Sequence, residues 1–185
     1  MKKTIISGLL IMATSGVAFA AGVPGQNIGT GNMTVSGTVG ASSCTVSFPS
    51  SVSLPTIDAS TYNAAPNQTT ILSENTPGIM FNDCSGSTVK VRIDATSSRG
   101  VSGQNLRVEV PGDGGNTRIA LQLADGSDKG YSINTDDPKL TNININNNSY
   151  NIPLKVKALR WSTAALPNST AGQYSAVYTF TATYL

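Results

Sequence analysis

From Gly172 onward the large side chains fall on every second residue: Tyr174, Tyr178, Phe180 and Tyr184, with Ala176 and Ala182 between them. Ser175, Val177, Thr179, Thr181 and Thr183 take the alternate positions. A period of two puts one set on each face of an extended chain, so the segment predicts a β-strand with one apolar face. It contains no charged side chain, and the sequence ends on Leu185. The strand is therefore expected to keep one edge that nothing later in the sequence can pair. An edge of this kind beside a core is an aggregation hazard unless it is covered. The cover is expected from an internal strand or from another chain.

The remainder reads as short strands and tight turns. Alternation over Met33, Val35, Gly37 and Val39 continues through SSCTVSF to Pro49, and GIMFNDC is a compact apolar patch ending on Cys84. TVKVRIDAT alternates Val89, Val91 and Ile93, and LRVEV, RIALQLAD and YNIPLKVKALRW read as further strands. The polar stretches PGDGGN, DGSDKG and NTDDPK are the turns between them. No twelve-residue window keeps a helical period. Seven or so strands in such an arrangement predict an all-β sandwich with immunoglobulin-like topology.

Residues 1–20 combine a basic start (Lys2, Lys3), an apolar stretch and Ala18-Phe19-Ala20, the pattern of a secretory signal peptide cleaved before Ala21. Gly8, Thr14, Ser15 and Gly16 interrupt the apolar run, which is too short for a membrane anchor. The formal charge of +2 belongs to that leader, since without Lys2 and Lys3 ten basic side chains face ten acidic ones. The scattered cations argue against nucleic acid or an anionic membrane as partner. In an exported chain Cys44 and Cys84 are expected to form one structural disulfide. Residues 21–32, AGVPGQNIGTGN, have no apolar face and form an extension.

Catalysis is hard to build from this composition. The chain has no His, so neither a Ser-His-Asp triad nor a Cys-His pair can form, and both cysteines are committed to the disulfide. Asp136 and Asp137 point to opposite faces if extended, and Pro138 marks a turn. No enzyme activity, metal or cofactor is expected. Gly29 and Gly31 are half of a dinucleotide fingerprint, without the third glycine or a flanking strand and helix. DGSDKG lacks the spacing and terminal Glu of a calcium loop. Asn67, Asn147 and Asn168 sit in glycosylation sequons that matter only in a eukaryotic secretory host. Trp161 beside Arg160 reads as a core or edge aromatic rather than a sugar platform.

Four features together resemble pilin subunits of the bacterial chaperone–usher pathway, of the type 1 and P fimbrial kind. They are the penultimate Tyr184 with Gly172 at the head of an alternating run, the Cys44–Cys84 spacing, the stretch MTVSGTVGASSC leading into the first cysteine, and GIMFNDC carrying the second. The resemblance implies an incomplete immunoglobulin-like sandwich lacking its last strand, with a groove along the terminal strand that exposes core. It divides the chain into a signal peptide (1–20), a donor-strand extension (21–35) and a pilin domain (36–185).

By the same resemblance the protein is a structural subunit of a surface fimbria that supports cell adhesion. A periplasmic chaperone fills the groove, and at the outer-membrane usher the extension of a neighbouring pilin subunit replaces it. This is β-strand addition, in which main-chain hydrogen bonds give affinity and alternate side chains fill pockets. The donor face carries Gly29, Gly31, Met33, Val35, Gly37 and Val39, the glycines matching a shallow part of the groove. Asn27 departs from the pattern, being polar where an apolar knob is expected. The acceptor face carries Gly172, Tyr174, Tyr178, Phe180 and Tyr184, and the Leu185 carboxylate is the group that a basic chaperone cleft anchors. The alternative is a tip adhesin, which would place a host receptor among the partners. Residues 21–185 leave no room for the additional lectin domain of two-domain adhesins, and a tip subunit needs no donor extension.

Overall fold

The computed structural model describes residues 30–38, 43–97 and 99–185. The signal-peptide residues, Asn27, Gly29 and Val39 lie outside them. The chain divides into two units, 1–39 and 40–185. In the first, the described residues 30–38 form no strand and all are exposed, with Met33 at 86% and Val35 at 81%. The expected strand from Met33 is therefore not formed there. An extended segment without a neighbour has no ladder to join, and an isolated alternating pattern does not stabilise itself.

Among its described residues the second unit holds eleven strands and little helix. In chain order they are β1 Thr45–Ser47, β2 Thr70–Asn75, β3 Ile79–Asn82, β4 Ser87–Thr96, β5 Val101–Ser102 and β6 Asn105–Val108. There follow β7 Ile119–Ala124, β8 Ile143–Ile145, β9 Ser149–Ile152, β10 Lys155–Arg160 and β11 Val177–Tyr184. The pairings give three hydrogen-bonded groups, β1-β3-β9, β2-β10-β7-β6-β5 and β11-β4-β8, and every named strand pairing is antiparallel.

The strands outnumber the seven or so expected because single patterned stretches are divided. YNIPLKVKALRW becomes β9 and β10, which join different groups: β9 pairs β3, whereas β10 pairs β7 and β2. Pro153 stands between them, and a residue without an N–H cannot continue a ladder. The chain switches sheets at that point.

The core follows from the alternation. On β4, Val89, Val91, Ile93 and Ala95 are buried and the residues between them are not. Val89, Val91 and Ile93 pack with Ile79 and Phe81 of β3, Leu123 of β7, Ile145 of β8 and Val156 of β10, whereas Ala95 packs with Leu106 and Ile133. A second cluster joins Val108, Ile119, Leu121 and Ala158 to Tyr62. Tyr62 belongs to a six-residue helix, α1 (Ala59–Ala64), capped by Asp58, whose carboxylate accepts from the Thr61 N–H at 2.7 Å. The Tyr62 hydroxyl donates to the carbonyls of Arg118 (3.0 Å) and Ser162 (3.2 Å), which pins α1 to the sandwich. A helix this short has no room for a periodic face, so the sequence pattern could not announce it.

Cys44 and Cys84 are joined, with Cα atoms 4.4 Å apart, directly beside the β1–β3 pair Thr45↔Asn82. The expected disulfide is present, and it ties down a first strand only three residues long.

Candidate functional site: an unpaired strand edge and its groove

β11 pairs with β4 over eight residues, from Val177↔Thr96 to Tyr184↔Val89. The Leu185 N–H continues the contact to the Thr88 carbonyl at 2.9 Å. β11 stands last in its group, and no described strand pairs its other edge. The register sets Tyr178, Phe180 and Ala182 opposite the buried Ala95, Ile93 and Val91, so these even-numbered side chains pack toward the core. Thr179, Thr181 and Thr183 face outward opposite Asp94, Arg92 and Lys90. Those three charges are engaged in ion pairs with one another and with Asp136, at 2.9–3.8 Å. β11 itself presents an uncharged edge, the kind that invites another strand.

Beside the first residues of β11 and the segment that leads into them runs a groove of about 930 Å³. One wall is residues 49–59; the other is residues 170–178 together with Phe180. Its floor includes Val110, Ile119, Leu121, Leu123, Leu154, Val156 and Leu166. Among the described residues no backbone–backbone hydrogen bond involves residues 49–57, so this wall joins no described ladder. Pro49 and Pro55 fit that state, since neither can donate.

Two expectations need correction. The acceptor strand does not start at Gly172, because β11 begins at Val177, where its partner β4 ends at Thr96. Residues 172–176 have passed the end of β4 and have nothing in the described chain to pair with. Gly172 instead packs tightly on a turn: an added Cβ would lie 2.7 Å from the Pro111 carbonyl oxygen. Nor does the groove lay the core bare. The floor residues are each only 2–6% exposed, because the two walls screen them.

Of the expected acceptor residues, Gly172, Tyr174, Tyr178 and Phe180 line the groove. Tyr184 and Leu185 do not; they lie beyond it, 63% and 61% exposed. Of the expected donor residues, Gly31, Met33, Val35 and Gly37 are exposed, and Gly29 and Val39 lie outside the described residues.

Sequence reasoning passed over Phe48. Adjacent to the wall residue Pro49, it stacks on Phe180 with ring centroids 5.7 Å apart and planes 11° from parallel. Its place in the SSCTVSF alternation was the available signal, but pairing it with Phe180 required the tertiary fold. Tyr178 packs against all three apolar clusters of the unit. Burial pushes the Tyr178 and Tyr174 phenols above their ordinary range.

No protein-family model matches the sequence. No curated protein matches it either. Solved structures do match. The crystal structure of the P pilus rod subunit PapA aligns with a TM-score of 0.51 at 20% identity, covering 84% of this chain and all of that one. A subunit from the structure of a chaperone–usher pilus, solved to explain rod uncoiling, aligns with a TM-score of 0.53 at 19% identity, covering 88% of this chain and all of its own. The fold of this chain is therefore the pilin fold, an all-β immunoglobulin-like sandwich lacking its last strand.

Proposed function

We propose that the protein is a structural subunit of a bacterial surface fimbria, assembled by donor-strand complementation and exchange. The observation that carries this reading is β11, a patterned, uncharged strand paired on one edge by β4 and flanked on the other by a groove. A strand added there would hydrogen-bond to β11 and send alternate side chains toward the floor, as β-strand addition does generally. It would also give residues 172–176 the ladder they lack. In the periplasm the added strand comes from a chaperone that anchors the exposed Leu185 carboxylate. At the outer-membrane usher it comes from the extension of a neighbouring subunit.

The same chain would act as donor. Residues 21–35 carry Gly29, Gly31, Met33 and Val35 on one face, continuing to Gly37 and Val39, and Met33 and Val35 have no apolar cover of their own. Apolar side chains this exposed on an extended segment suit burial in a partner. The product would be a fimbrium on the cell surface built through non-covalent strand insertion, with no catalytic step.

Deletion of residues 21–35 from the mature protein separates the two roles. The truncated subunit is expected to retain its chaperone complex, because the groove is intact, but to fail to join the subunit that would receive its extension. Polymer formation is read by electron microscopy and by the ladder of SDS-resistant oligomers. Polymers of normal length from the truncated subunit would overturn the donor assignment.

A further inference from the structure

The segment that leads into β11 is tethered by a single side chain. Residues 165–176 join no strand, yet every residue from Thr170 to Ala176 lines the groove. One hydrogen bond is internal to the segment, from the Thr170 N–H to the Pro167 carbonyl at 3.0 Å. Among the described residues, the bonds that tie it to the rest of the chain both run between Leu166 and the Asn63 side chain. The Leu166 N–H donates to Asn63 Oδ1 at 2.8 Å, and Asn63 Nδ2 donates to the Leu166 carbonyl at 3.1 Å. One amide thus serves both backbone groups of one residue. Leu166 is 5% exposed and lies in the groove floor, where unpaired backbone groups would be costly.

Asn63 belongs to the opposite wall. That wall ends on Ala59, the first residue of α1, and Asn63 lies in the same short helix. Arg160 Nη1 donates to the carbonyls of Asn63 (2.9 Å) and Ala65 (2.7 Å), which pairs the last carbonyls of α1 and fixes the backbone that carries the amide. Asn63 itself is exposed and adds nothing to the core. Its side chain therefore ties one wall of the groove to the other. We propose that Asn63 is a positioning residue for strand capture: its two bonds hold residues 165–176 in place, ready to pair with an incoming strand. This inference rests on the donor-strand reading and adds to it the residue that readies the acceptor. Without the tether, the segment has to be ordered at the moment a strand enters, and that cost is drawn from the binding energy. The complex is then weaker and the strand leaves sooner.

The test uses the mature protein refolded with a fluorescently labelled synthetic peptide of residues 21–35, as wild type, Asn63→Ala and Ile145→Val. Alanine is the better helix former, so the first change does not weaken α1. The second thins the core on β8, away from the groove, and controls for a general loss of stability. Release of the labelled peptide into an excess of unlabelled peptide is followed by anisotropy, and amide exchange of each complex by mass spectrometry. From Asn63→Ala the peptide is expected to leave about tenfold faster, as the loss of two hydrogen bonds implies. Faster exchange is expected to be confined to residues 165–176. From Ile145→Val the peptide is expected to leave at the wild-type rate. Wild-type release from Asn63→Ala overturns the proposal, as does exchange that quickens equally in β4 and β10, or release from Ile145→Val as fast as from Asn63→Ala. In each of those outcomes the donor-strand reading survives. If the wild-type protein holds no peptide, the donor-strand reading falls and the proposal falls with it.

Discussion

Replacing Tyr178 with alanine is expected to lower the unfolding free energy by about 3 kcal/mol, the low end of the range for truncating a large core aromatic, because the side chain is partly buried. Tyr178 touches all three apolar clusters of the unit. It also lines the groove, opposite Ala95 of β4. Truncation would leave a cavity at the point where the clusters meet, and the β-strand backbone cannot collapse to fill it. A loss this large is a sizeable part of the ~5–15 kcal/mol that holds a typical domain folded. Urea unfolding of the peptide-complemented protein measures it, with a lower midpoint and an unchanged slope. The adjacent Thr179→Ala faces outward and should stay within about 0.5 kcal/mol of wild type. Equal effects at the two positions would mean that the even-numbered face of β11 does not organise the core.

Loss of the disulfide is expected to cost about 4 kcal/mol on the chain-entropy estimate for a loop of this length. The two cysteines lie 40 residues apart in sequence and bridge the start of β1 to the end of β3. β1 is only three residues long, and the wall of residues 49–59 begins just after it. Without the bridge, β1 has three backbone pairs to hold it, so the wall and Phe48 lose their anchor. Cys44→Ser/Cys84→Ser should therefore unfold at lower urea and also bind a donor peptide more weakly. A double variant with wild-type stability, or one that lost stability while keeping full peptide affinity, would contradict this role for the bridge.

The parts of the fold that sequence made legible are those governed by local period. The two-residue alternation of β4 and β11 survives in the structure because each has one buried face, so every second residue is under the same constraint. Tyr178 and Phe180 fell on the correct face for that reason. Gly172–Ala176 share the alternation but are not strand, because strand formation needs a neighbour and β4 stops at Thr96. Pattern reports which side chains would share a face; it does not report how long the partner is. The split at Pro153 was readable from proline chemistry, yet the assignment of β9 and β10 to different sheets depends on β3, β7 and β2, which are distant in sequence. β2, β5 and β8 were not singled out, and β5 and β8 are too short, at two and three residues, to display a period.

The candidate site divides along the same line. One wall belongs to the alternating segment that leads into β11 and was visible; the other, residues 49–59, has no periodicity and is defined only by what it faces. Gly172 was expected as part of the acceptor run, but its tight contact is with the Pro111 carbonyl, a neighbour fixed by tertiary structure. The burial of the Tyr174 and Tyr178 hydroxyls with no hydrogen-bond partner among the described residues was invisible in sequence, where a tyrosine on an apolar face counts only as bulk.

On the proposed reading the sandwich stays incomplete until a strand from another chain fills the groove beside β11. The most direct measurement compares thermal unfolding of the mature protein with that of the same protein carrying residues 21–35 fused after Leu185, both made without a chaperone. The fused protein is predicted to be a monomer with a high Tm, and the unfused one to aggregate or to melt at a far lower temperature. An unfused monomer that melts as high as the fused protein would contradict the claim, because it would show that the sandwich is complete without a donor.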